Sequence, residues 1–171
     1  METTNTSGGN KTIVWIAVGC LALLACVVVA FFSGIGGLYW IGSQTPDNAD
    51  ILVNIPSEVN SGESFQIEVV VTNTSRTTIV VSSIDISLNY LSGFLIEGTT
   101  PPYAETSQYS SIGGGETFQT YYFHRSLAPE ESLTIVFNGR ALAIGDYRGN
   151  VDVCIDSEFN CKSDIARTIV R

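Results

Sequence analysis

Two cysteines stand seven positions apart near the C-terminus, Cys154 and Cys161 in VCIDSEFNC, and such a pair has three chemical uses: metal ligation, thiol redox exchange or a covalent staple. A zinc site needs four ligands and favours short C-x-x-C knuckles, whereas these two sulfurs have no histidine near them in sequence. Redox exchange also favours C-x-x-C. The spacing instead suits a disulfide across a hairpin whose loop is IDSEFN, provided the segment lies in an oxidising compartment. The same loop carries Asp156, Glu158 and Asn160 in alternation, but an EF-hand would need glycine where Cys161 stands and an acid where Arg167 stands. A looser oxygen site at the hairpin tip competes with a plain acidic turn.

Catalytic chemistry finds little support. The lone His124 has no G-x-S-x-G elbow and no reactive thiol to activate, and no carboxylate pair is set off by spacing. The expectation is a protein that is not an enzyme and needs no cofactor or metal.

The elements that position these residues begin with an anchor. Residues 12 to 42 hold no charged side chain, and Thr12 to Phe32 reads TIVWIAVGCLALLACVVVAFF, long enough as a helix to extend about 31 Å and cross a bilayer. It is apolar all round, unlike a soluble helix. Lys11 and Trp15 at one end and Tyr39 and Trp40 at the other fit the membrane interface. Glycines at 34, 36, 37 and 42 loosen the exit. Two processing routes compete with a permanent anchor: lipidation at Cys26 in LLAC, and cleavage after Val28-Val29-Ala30. Cys20 and Cys26 otherwise read as small apolar fillers.

Lys11 precedes the apolar run and Asp47, Asp50, Glu58 and Glu63 follow it, which places the N-terminus in the cytoplasm and the rest outside. Only Glu2 of the 17 acidic residues and only Lys11 of the eight cations precede residue 46, so the net charge of −9 falls on the ectodomain. Its cations are scattered, which excludes a phosphate-binding face and hence nucleic acid as a partner. Sequons stand at Asn5, Asn10 and Asn73, and on this topology only Asn73 faces a glycosylating compartment.

After a polar linker, SQTPDNAD at 43–50, period-two alternation takes over. The clearest strand puts Phe65, Ile67, Val69 and Val71 on one face and Gln66, Glu68 and Thr72 on the other. Further strands are expected at 51–55, 79–90, 94–96, 118–124, 133–137, 151–155 and 166–170. In 118–124 the inward face stays open, because Tyr121 and Phe123 contradict Phe118 and Tyr122. Val151, Val153 and Ile155 would face the core, leaving Cys154 on the solvent side with Asp152 and Asp156. Seven or eight strands separated by Gly, Pro, Ser and Asn clusters predict an all-β sandwich.

Three stretches carry a resemblance: SGESFQIEVVVTNTS, LAPEESLTIVF and GDYRGNVDV. They resemble immunoglobulin-like surface modules of the CARDB and NEW3 kind, over residues 50 to 170. The resemblance implies a tyrosine-corner role for Tyr147 and a non-catalytic binding or scaffolding module. No cysteine lies on the Phe65 strand and no tryptophan in the ectodomain, so the antibody disulfide and its packed tryptophan are absent.

The least regular segment, Gly98 to Glu116, reads as a long loop with Tyr103 and Tyr109 as partner-binding anchors, against the alternative of a plain connector. The expected organisation is thus a cytoplasmic tail (1–11), a transmembrane signal anchor with its exit (12–42), a linker (43–50) and an immunoglobulin-like β-sandwich (51–171). Expected partners are the bilayer, another surface protein or a glycan, and a second copy through the transmembrane helix. A pilin-like or archaellin-like filament subunit and a non-catalytic accessory subunit of a membrane complex are the competing readings.

Overall fold

The computed structural model describes residues 26–29, 46–111 and 115–171. The expected interface residues Lys11, Trp15, Tyr39 and Trp40, and most of the apolar run, lie outside the described residues. Residues 26–29 are helical, and among the described residues no helix is long and apolar enough to cross a membrane. The chain divides into two units after Ser43, and the second carries the features that follow.

That unit is a two-layer β-sandwich of ten strands. They are β1 (Ala49–Asn54), β2 (Glu58–Val59), β3 (Ser64–Asn73), β4 (Ile79–Ser87), β5 (Phe94–Thr100), β6 (Glu105–Ser110), β7 (Thr117–Leu127), β8 (Ser132–Ala141), β9 (Gly145–Ile155) and β10 (Cys161–Val170). One sheet has the order β1-β3-β8-β5, the other β2-β10-β9-β4-β7-β6. All pairings are antiparallel except β2 with β10. Two strands exceed the expected number: β2, only two residues long, and β6, which lies inside the segment expected to be a loop.

Alternation in β3 puts Phe65, Ile67, Val69 and Val71 into the core, and Ile135 and Phe137 of β8 lie beside them. The facing layer is supplied by Ile84 and Ile86 of β4, Tyr121 and Phe123 of β7, and Val151, Val153 and Ile155 of β9. The ambiguity of β7 resolves in favour of Tyr121 and Phe123, whose rings meet Phe137 edge-on at 5.1 and 6.1 Å. Phe118 and Tyr122 point the other way. Phe118 is nonetheless 5% exposed, because the Tyr109 ring stacks on it at 5.3 Å.

The phase of β4 slips at Ser82, where the register with β7 and with β9 shifts between Val81 and Ser83. Such a bulge re-aims side chains, so Ile79 and Val81 face inward before it and Ile84 and Ile86 after it. His124, at φ 48°, sits at the corresponding irregularity of β7. The expected strand 79–90 stops at Ser87, where Leu88–Leu91 forms a helical turn, and the buried Tyr90 hydroxyl bonds Thr168 at 2.9 Å.

At one end of the sandwich, Phe94 gathers the rings of Phe65, Tyr90 and Tyr147 within 4.8, 4.9 and 5.3 Å. Tyr147 donates its hydroxyl to the carbonyl of Ala143 at 3.1 Å. Gly93 is required here: a Cβ on it would run into the Tyr147 ring.

Asn73, the sequon expected on the glycosylating side, has a side chain that is not accessible in the fold. It is fully buried, its amide donates to the carbonyls of Thr77 and Leu127 at 2.8 and 2.9 Å, and its carbonyl accepts from the backbone and hydroxyl of Ser75. Attachment of a sugar would break these bonds, so in the folded chain Asn73 is a clamp between the end of β7 and the β3–β4 turn.

Candidate functional site

The outward face of β4 alternates Ser83, Asp85 and Ser87 with core isoleucines, a pattern that ordinarily marks a wet face. Here the face is covered. Ser83, Asp85 and Thr120 are 0%, 3% and 2% exposed. Edge strand β6 lays Ser107 and Tyr109 beside them, β7 adds Tyr122, and the β9–β10 hairpin loop brings Glu158 and Phe159 to the rim of a half-open cavity of about 250 Å³.

The disulfide fixes that loop. Cys154 and Cys161 are direct cross-strand partners, bonded at 2.03 Å. The expected outward parity of Cys154 holds but its expected exposure does not: it is fully buried, and its sulfur lies 3.6 Å from Oδ2 of Asp85. The loop, folded back over the sheet, removes it from solvent. Asp85, Cys154 and Cys161 come within 4.8 Å of one another, but sulfurs bonded to each other supply no thiolate to a metal.

The carboxylate of Asp85 is incompletely satisfied. Tyr109 donates its hydroxyl to Oδ2 at 3.2 Å; the hydroxyls of Ser83 and Thr120 lie close enough to favour the carboxylate, although neither they nor Oδ1 make a hydrogen bond of ordinary length. Buried polar groups are rarely left this way. Burial pushes the Asp85 carboxyl up to about 6, with the Thr120, Tyr109 and Ser83 hydroxyls pulling against that rise and the Asp152 charge adding to it. Asp152, directly opposite on β9, is also raised by burial. The Tyr109 hydroxyl is pushed up by its own burial and then by the charges of Asp85 and Asp152.

Elsewhere on this face Glu116 and Asp156 are matched, whereas Oδ1 of Asp152 has no hydrogen-bond partner. Glu116 accepts from the hydroxyl of Ser87 and, at 2.8 Å, from the amide of Asn150. At the hairpin tip Asp156 accepts from the backbone of Val80 at 2.8 Å and from Asn48 at 2.9 Å, and Asn160 donates to Ile155. These groups are spent on holding the loop. His124 is exposed and stacks on Tyr122 at 5.6 Å.

Tyr103 and Tyr109, expected together as anchors of one loop, are separated by the pleat. Tyr109 lies on β6 against the outward Phe118, whereas Tyr103 packs edge-on at 5.4 Å against the inward Tyr121. The segment looked irregular because β6, ETSQYS, is an edge strand of polar residues without an apolar alternation. The floor residues Ser83, Asp85 and Thr120 escaped sequence reasoning because polar alternation signals solvent. The signal available was the coincidence of Tyr109, Tyr122 and Phe159 at positions outside the core.

No family model matches the chain, and no match was found among curated proteins. Solved structures align with it only distantly. The alkylpurine DNA glycosylase AlkC of Pseudomonas fluorescens aligns over 72% of this chain at 14% identity and a TM-score of 0.46, and this chain spans only 30% of it. The CARDB domain of the Pyrococcus furiosus protein PF1109 aligns over 77% of this chain and 96% of its own, at 17% identity and 0.38. The cupredoxin domain of amoB from Nitrosocaldus yellowstonii aligns over 75% and 90%, at 7% and 0.45. Likenesses this distant leave function to the chain's own residues.

Proposed function

We propose that this chain is a membrane-anchored, extracellular β-sandwich of the immunoglobulin-like kind that binds a ligand or partner at the cell surface without catalysing a reaction. The observation that carries the binding reading is the half-open cavity on the six-stranded sheet, lined by Asp85, Tyr109, Tyr122 and Phe159. The fold reading draws on strand order. β1-β3-β8-β5 facing β10-β9-β4 corresponds to the ABED and GFC sheets of immunoglobulin domains, extended here by the β6–β7 hairpin. Extracellular placement is supported by the buried disulfide, since such bonds persist in oxidising compartments, and by the charge-free run of residues 12 to 42. Anchoring is by the bilayer, with a surface protein or glycan as the macromolecular partner.

Topology is tested with a C-terminal tag and protease added to intact cells producing the full chain. Loss of the tag without permeabilisation is expected. A tag protected until the membrane is opened rejects the extracellular placement.

A further inference from the structure

The disulfide presents its two sulfurs to different surroundings. Cys154 is fully buried on the outer face of β9, whereas Cys161 is half-buried at the start of β10, with its sulfur 3.4 Å from the Glu158 carbonyl in the exposed loop. An incoming thiolate therefore meets Cys161, and attack there expels Cys154 as the leaving sulfur. The expelled sulfur is a buried anion unless a proton reaches it, and a charge left in such a place is costly. The acid lying against it is Asp85, whose Oδ2 is 3.6 Å from the Cys154 sulfur. Burial already favours the protonated form of that carboxyl. Proton donor and sulfur are both shut off from water, so a transfer between them needs no path to solvent.

We propose that the Cys154–Cys161 bond is an exchange site for small thiols that carry no negative charge, with Cys161 the sulfur attacked, Cys154 the sulfur released and Asp85 the group that passes it a proton. The thiolate sulfur bonds to Sγ of Cys161, the S–S bond breaks, its electron pair goes to Sγ of Cys154, and the Asp85 carboxyl proton follows. The products are a mixed disulfide on Cys161, a thiol on Cys154 and an ionised Asp85. In reverse, Asp85 takes the proton back, Cys154 attacks Cys161, and the small thiol leaves as thiolate. Mild acid thus favours opening and neutral pH closure. The bias against anionic thiols follows from Asp156 and Glu158, which stand in the loop between the cysteines of a chain whose net charge is −9. Opening frees the loop that carries Glu158 and Phe159 at the cavity, so exchange alters access to it. That consequence rests on the binding reading, whereas the exchange itself does not.

The ionisable groups facing Asp85 are Asp152 on β9, Tyr109 on β6, and Tyr122 of β7 and Glu158 of the hairpin loop across the cavity. The test therefore separates the two aspartates. The full chain, purified in detergent, is exposed to cysteamine between pH 5 and 7, quenched by alkylation in acidic denaturant and mapped by peptide mass spectrometry. Early adducts should sit on Cys161, with Cys154 alkylated. Divided by the concentration of cysteamine thiolate, the rate constant should fall about tenfold from pH 5 to pH 7, following the protonated fraction of Asp85. Asp85→Asn should flatten that fall to under about twofold and Asp152→Asn should keep it, the thermal transition of each variant confirming that it is folded. At pH 7 and low salt, 3-mercaptopropionate should react severalfold more slowly per thiolate than cysteamine, and high salt should narrow the gap. No adduct in the folded chain, early adducts on Cys154, a per-thiolate rate constant independent of pH in the parent, an equal fall in Asp85→Asn, loss of the fall in Asp152→Asn, or equal rates for the two thiols at low salt overturns the proposal. Such a failure would leave the cavity and the extracellular placement standing, since neither depends on a reactive bond.

Discussion

Asp85 is the residue whose placement most affects stability. Its carboxyl titrates near 6 in the folded chain against an ordinary value of 3.8, so the folded state holds the proton more tightly than the unfolded state does. The stabilisation this gives is complete below about pH 4 and is lost as pH rises through about 6. Asp152 shifts in the same direction. Asp146, held by Arg167 and Arg148, and Glu63, held by Asn60, shift downward, and their opposite contributions fall at lower pH. Between about pH 4 and 6 Asp85 therefore governs the slope, with Asp152 acting in the same direction. Asp85→Asn keeps the shape and removes the charge, so it should raise stability at pH 7.5 by up to about 3 kcal/mol and flatten the decline between pH 4 and 6, read by urea unfolding at each pH. A variant less stable than the parent at pH 7.5 would show that the ionised form is better solvated than its burial implies. Asn73 behaves oppositely: its side chain satisfies two carbonyls, and Asn73→Ala should cost about 2 to 3 kcal/mol. Mass spectrometry of chain made in a glycosylating host should find this sequon bare, and a glycan there would mean modification precedes folding.

Among the elements, β6 is an edge strand whose six residues are all exposed, held to β7 by pairing from Glu105↔Tyr122 to Ser110↔Thr117. Tyr109 is its main packing contact. Taken as a loop residue, Tyr109 could be truncated without effect on stability; in its actual place the change strips a stacked ring from Phe118 and a hydrogen bond from Asp85. Tyr109→Ala should therefore lower stability by about 1 to 2 kcal/mol and speed amide exchange across 105–110, while Tyr103→Ala, in the 101–104 connection, should leave β6 protected. Equal exchange effects from both substitutions would contradict the separation of the two rings by the pleat of β7.

At the scale of the molecule, the hydrophobic core lies between the sheets and the disulfide lies outside it, on the outer face of β9 and β10. The bond closes a loop with a sequence separation of seven, worth about 2 to 2.5 kcal/mol in the chain-entropy model. The sandwich should survive reduction with a lower thermal midpoint. The cavity should open, because the loop carrying Glu158 and Phe159 loses its tether. Circular dichroism before and after reduction checks the first expectation. Loss of all β signal on reduction would place the bond among the determinants of the fold.

The sequence alone determined whatever depends on the local period of the chain. Alternation in Phe65–Val71 and Val151–Ile155 set the inward faces of β3 and β9, and the lone pair Cys154 and Cys161 set the staple, because a strand's pleat is fixed within a few residues. The charge-free run that argues for an anchor is likewise a local property. Tertiary structure decided what covers what. Ser83 and Asp85 alternate with Ile84 and Ile86 as a wet face would, and the parity of Thr120 is open in the sequence; the three became a cavity floor only when β6 paired with β7 and the hairpin loop came to the same place. Burial depends on contacts between segments distant in sequence, such as Asp85 with Tyr109, and no local period records them. The same reason hid the buried clamp of Asn73, which looks like a surface sequon until Leu127 is brought to it from the far end of β7.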